Sequence, residues 1–151
     1  MSECTHDCGS CSASCGDRQE KPDLRVPVNQ FSHINKVIGV VSGKGGVGKS
    51  LVTASLACAM KAKGFKVGIL DADITGPSIP QAFGIHKTAD VNDMGILPAI
   101  SKTGIEVMSL NLLTKEETDP VIWRGPVIAG VVKQFWTDVL WGELDFLFVD
   151  M

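Results

Sequence analysis

Apolar and polar positions fall into two regimes that meet near residue 33. From Lys36 the texture is that of a folded domain: KVIGVVS is a β-branched apolar run, the pattern of a strand buried on both faces of a parallel sheet. A glycine-rich loop follows it, over residues 43–48. In SLVTASLACAMKAKG, Leu51, Ala54, Leu56, Ala57 and Met60 recur close to a 3.6-residue period, lysines fill the last turn and Gly64 stands as a C-cap, so a helix is predicted. FKVGILD then reads as a second buried strand. Strand, helix and strand in so short a span make a βαβ unit with a right-handed crossover.

Beyond Asp71 the pattern is less regular. ADITGPSIPQAFG reads as a loop with a short helical turn, and residues 86–104 as a polar, turn-rich hairpin. IEVMSL reads as a strand. PVIAGVVKQFWTDVLWG predicts a helix with Pro126 at its start and Ile128, Val131, Val132, Phe135, Val139 and Leu140 largely on one face. LDFLFVD is a third buried strand ending at Asp150. The expected class is α/β, with a mostly parallel, doubly wound sheet over residues 34–151. A strand with no loop, helix or strand after it leaves such a sheet incomplete, so the expectation is a longer open reading frame.

Residues 1–33 hold few large apolar side chains, set among polar and small residues such as Ser, Asp, Gly, Lys and Pro, too little to order them unaided. Four of the five cysteines, Cys4, Cys8, Cys11 and Cys15, fall in this tail. Four thiolates at C-x3-C-x2-C-x3-C spacing suit tetrahedral zinc or an iron-sulfur cluster, and spacing alone does not choose between them. His6 or Asp7 can replace one thiol, with a solvated His6 the plainer reading. The first three cysteines also fit the C-x3-C-x2-C of radical enzymes that cleave S-adenosylmethionine, but that loop belongs after a barrel strand and this one precedes every strand. Cys58 sits in the first helix, where a small buried hydrophobe is the ordinary reading.

Composition narrows the setting. No apolar run reaches the ~18 residues a spanning helix needs, and the first residues lack the pattern of a secretory signal. Fourteen Lys plus Arg against 17 Asp plus Glu give a net charge of -3, which argues against a nucleic-acid footprint. The expectation is a cytoplasmic protein with neither nucleic acid nor membrane as partner.

Gly43, Lys44, Gly45, Gly46, Val47, Gly48, Lys49 and Ser50 satisfy G-x-x-x-x-G-K-[ST]. Glycines let backbone N–H groups curl round a polyphosphate, Lys49 neutralises β and γ oxygens, and Ser50 offers a hydroxyl to Mg2+. Leu51 continues the loop into the helix. Asp71 and Asp73, at the carboxyl end of the second strand, can hold Mg2+ through water or orient an attacking water; either can instead cap a turn. Asp150, after an apolar strand, has the form of a Walker B aspartate.

Lys44 exceeds the basic pattern. GKGGVGKS resembles the deviant Walker A loop of the MinD and ParA-like P-loop NTPases, which implies a homodimer with ATP at its interface and Lys44 reaching the partner's nucleotide; a solvated loop lysine is the plain alternative. With DADITGPSIPQAFG, WRGP and the cysteine tail, the chain is similar to the Mrp/ApbC-type iron-sulfur cluster carrier ATPases over residues 36–151. That resemblance implies ATP hydrolysis with Lys44, Lys49 and Asp73 as catalytic residues, Mg2+ on Ser50, Asp71 and Asp150, a 4Fe-4S cluster on the tail cysteines, and apoproteins as recipients. In the resembled family the transferable cluster is held by a C-x-x-C pair in the second half of the domain, bridging two subunits, and residues 36–151 carry no such pair. Trp123 and Arg124 fall in a family segment and equally fit a packed Trp beside an exposed Arg. The alternatives from other classes are a spatial-positioning ATPase and a zinc-binding, non-hydrolysing module.

Overall fold

The computed structural model describes residues 26–73, 76, 78–113 and 125–151. The four tail cysteines, His6, Asp7, Trp123 and Arg124 lie outside the described residues. In chain order the elements are β1 (His33–Val40), α1 (Lys49–Ala62), β2 (Val67–Asp71), α2 (Ile79–Ala82), β3 (Asp90–Asn92), β4 (Gly95–Leu97), β5 (Ala99–Ile100), β6 (Glu106–Ser109), a 3-10 turn at Leu110–Leu112, α3 (Gly125–Thr137) and β7 (Glu143–Asp150). The predicted hairpin is β3 and β4, whose turn is tied by the Asn92 side chain accepting the N–H groups of Met94 and Gly95.

The main sheet runs β1-β7-β2-β6-β5, parallel except for β5, which pairs antiparallel with β6. β7, last in the chain, thus lies between β1 and β2, and the βαβ unit read from the sequence spans a gap that β7 fills. One face carries Leu70, Met108, Leu147 and Val149 packed with Phe135 of α3. The other carries Ile69, Val107 and Phe148 with Ala57 of α1 and Ile79 of α2. Each large side chain buried there stabilises the fold by roughly 2 kcal/mol, and the Ala57 methyl by less. Helices on both faces make the sheet doubly wound.

Four expectations need correction. β1 begins at His33 and is not buried on both faces: among the described residues it pairs with β7 alone, at the edge of the sheet, and it leaves Val37 exposed. α1 buries Thr53 and Ala57, whereas Leu51 (73% exposed), Val52 and Leu56 face outward. Cys58 is exposed on the same helix. α3 stops at Thr137, so Val139 and Leu140 are not helical: Ile96 N–H bonds Asp138 O at 2.9 Å and Leu140 N–H bonds Ile96 O at 2.8 Å. Pairing with β4 there outweighs continuation of the helix.

The segment leading into β1 is strapped to the end of α3. Trp136 Nε1 donates to Val26 O at 2.8 Å, Asn29 Nδ2 to Thr137 O at 3.1 Å and Trp141 N–H to Ser32 Oγ at 2.9 Å. These contacts sit at the amino ends of the parallel strands. The glycine loop leaves the opposite end.

Candidate nucleotide site

At the carboxyl ends, Val40, Asp150, Asp71 and Ser109 form one row across β1, β7, β2 and β6 by strand register. Residues 43–48 rise beside that row and lead into α1. Gly46 (φ 71°) and Gly48 (φ 92°) take the left-handed conformation that favours glycine. Gly48 is also the N-cap of α1, and no side chain among the described residues caps that helix end. A Cβ placed on Gly43, Gly45, Gly46 or Gly48 would meet nothing within 4 Å among the described residues, which leave the loop's surroundings open. Ser42 and Lys44 bond each other at 3.2 Å, hydroxyl to carbonyl and N–H to hydroxyl, which shapes the first turn. Uncapped helical N–H groups and a glycine cradle suit a polyphosphate.

Ser50 Oγ donates to Asp150 Oδ2 at 2.6 Å, and Thr53 Oγ1 lies 3.2 Å from Asp150 Oδ1. Asp150 is fully buried at the end of β7. The Ser50 proton is committed to Asp150 while its oxygen lone pairs remain, a donor set of hydroxyl and carboxylate oxygens that fits Mg2+. Asp71, also buried, accepts N–H bonds from Asp73 on Oδ1 and Ile79 on Oδ2, both at 3.2 Å. Burial pushes its carboxyl up to about 7, against those two N–H bonds; Asp150 and Asp73 add to the rise. Asp71 therefore ties both ends of the segment after β2, the turn-capping alternative raised by the sequence. Asp73 Oδ1 in turn accepts the Gly76 N–H at 3.2 Å.

The structure brings Ser50, Asp71, Asp73 and Asp150 to one end of the sheet with the loop. Thr53 was missed by sequence reasoning, and its signal was a polar residue at i+3 from Ser50 on the helix. Ser109 was missed too: its buried hydroxyl has no hydrogen-bond partner among the described residues. A cavity of about 570 Å³ lies elsewhere, lined by Phe83, Ile85, Leu97, Ile100, Glu106 and Trp141, and includes none of the loop residues.

Against known families, residues 33–151 match ParA, described as NUBPL iron-transfer P-loop NTPase. The chain belongs to that family. Among its relatives, an iron-sulfur cluster carrier protein of Clostridium perfringens is 49% identical, covering 95% of this chain and 53% of that protein. Another iron-sulfur cluster carrier protein, from Methanocaldococcus jannaschii, is 44% identical over 99% of this chain and 53% of its own length. The cytosolic Fe-S cluster assembly factor CFD1 of Saccharomyces cerevisiae is 42% identical over 87% of this chain and 46% of its own. A solved nucleotide-binding protein from Archaeoglobus fulgidus, in complex with ADP and with Co found, superposes with a TM-score of 0.66 at 47% identity, covering 77% of this chain and 44% of that one. The chain spans about half the length of these relatives. The fold is that of a P-loop NTPase with a mostly parallel sheet.

Proposed function

We propose that this chain acts as an ATP-binding and ATP-hydrolysing iron-sulfur cluster carrier, which assembles clusters and passes them to apoproteins in the cytoplasm. The observation that carries the reading is the Ser50–Asp150 hydrogen bond beside an open glycine cradle, in a member of an iron-transfer P-loop family. Relatives named iron-sulfur cluster carrier and cytosolic assembly factor support the cargo and the compartment. Among the described residues no helix is long and apolar enough to cross a membrane.

Residues 43–51 cradle the phosphates through backbone N–H groups, with Lys49 supplying fixed positive charge. Ser50 and Asp150, with Asp71 behind them, hold Mg2+, which when bound supplies charge against the phosphate oxygens. Asp73 orients the attacking water, and Lys44 acts across a homodimer interface. Cys4, Cys8, Cys11 and Cys15 take a 4Fe-4S cluster in the tail. The domain division is residues 1–33 as tail and 34–151 as nucleotide domain.

Anaerobic reconstitution with iron and sulfide tests the cargo. A broad visible absorption toward the blue, lost on Cys8→Ala and Cys11→Ala, is the expected result. A colourless, zinc-loaded protein would overturn it.

A further inference from the structure

Thr53 lies one turn beyond Lys49 on the buried side of α1 and has no solvent exposure. Its hydroxyl is 3.0 Å from Lys49 O and 3.2 Å from Asp150 Oδ1. The first contact is the ordinary back-bond of a helical threonine to the preceding turn. The second is not local. It joins α1 to the end of β7 and engages the carboxylate oxygen that Ser50 leaves untouched.

Asp150 consequently receives a hydroxyl on each oxygen, Ser50 on Oδ2 and Thr53 on Oδ1. A carboxylate held at one oxygen can swing about its terminal torsion, which has a broad, shallow minimum. Held at both, it keeps one plane. The Thr53 hydroxyl has a single proton shared between Lys49 O and Asp150 Oδ1, so it also links the backbone of the loop's lysine to that carboxylate. Valine has nearly the shape of threonine, so the hydroxyl is the part of this side chain that Asp150 uses.

We propose that Thr53 is a positioning residue for the cation site, fixing the Asp150 carboxylate in the plane that serves Mg2+ beside the phosphate loop. The assignment rests on the reading of Ser50 and Asp150 as the Mg2+ holders and extends it to a residue that touches neither cation nor nucleotide. Residues that orient a metal ligand from behind commonly contribute about 10–100-fold in metal affinity. A residue that only packs α1 against the sheet would alter stability and leave Mg2+ affinity alone.

The test is an equilibrium titration of a fluorescent ATP analogue against this chain, in EDTA and over a Mg2+ series. In EDTA, Thr53→Val should bind the analogue as the unaltered chain does. The Mg2+ concentration that half-maximally tightens binding should rise about tenfold or more in Thr53→Val and return in Thr53→Ser. In an Asp150→Asn background, Thr53→Val should add nothing, because the two residues act as a unit. An unchanged Mg2+ response, an equal weakening in EDTA, or additivity with Asp150→Asn overturns the proposal. An unaltered chain that binds the analogue without any response to Mg2+ overturns the cation reading beneath it. If Thr53→Val does not fold, Thr53→Ala makes the same comparison.

Discussion

Asp71 and Asp150 are register partners at the carboxyl ends of β2 and β7, 1% and 0% exposed. Their surroundings differ. Asp150 takes two side-chain hydroxyls, whereas Asp71 takes two backbone N–H groups at 3.2 Å and is raised to about 7, chiefly by burial. A carboxyl whose pKa rises on folding contributes stability that is complete below its unfolded value near 4 and is lost as pH climbs through about 7. Between pH 5 and 8 the loss should be on the order of a few kcal/mol. Asp71→Asn should flatten that slope in urea unfolding; parallel pH profiles for the two proteins would contradict it. Glu106, also raised to about 7 by burial, is opposed by Lys61 and Lys66, and Glu106→Gln should flatten the slope less.

Ser50→Ala should cost stability even without nucleotide. It strips the 2.6 Å donor from Asp150 Oδ2 and leaves a buried carboxylate oxygen with no replacement, a loss of about 1–3 kcal/mol. Ser50→Thr keeps the hydroxyl and should recover most of it. Denaturant midpoints at constant slope decide; equal stability of Ser50→Ala and the unaltered chain would mean that water replaces the hydroxyl there.

Part of this architecture was legible because its signals are local. The loop over residues 43–50 declares itself by glycine spacing, and β2 and β7 by uninterrupted apolar runs. What eluded the sequence was set by distant partners. Nothing within LDFLFVD says that it lies between β1 and β2, and the edge position of β1 follows from that order. The period in α1 favoured Leu51 and Leu56, yet Thr53 takes the buried side because Asp150, distant in sequence, meets its hydroxyl. Val139 leaves the helical pattern because Ile96 offers a β-bridge. Strand ends and apolar texture are readable one residue at a time; pairing order and the faces it buries are not.

Gly95→Ala should be strongly destabilising while leaving nucleotide binding intact in the folded fraction. Gly95 has φ 150°, and a Cβ there would press into the backbone oxygen of Asp138 and meet Leu140 Cγ at 3.2 Å. Backbone oxygen cannot turn aside as a side-chain end can. Strain and overpacking together should cost at least about 2 kcal/mol. Thermal unfolding with and without nucleotide checks both halves, and a variant of unchanged midpoint would show that β4 shifts to make room.

Lys49→Ala and Asp73→Ala should separate binding from turnover. Lys49 stands at the start of α1, directly after the left-handed Gly48, where its charge adds to the positive end of the helix; without it nucleotide binding should fall below detection. Asp73 follows β2 and its Oδ1 accepts the Gly76 N–H; on the proposed reading it orients the attacking water and does not grip phosphate. Asp73→Ala should therefore bind nucleotide normally and hydrolyse it about 10²-fold or more slowly, the usual size of a lost general-base contribution. Isothermal titration and single-turnover phosphate release report the two quantities independently. Hydrolysis at the full rate by Asp73→Ala would move the water-orienting role to Asp71, the other carboxylate at the end of β2.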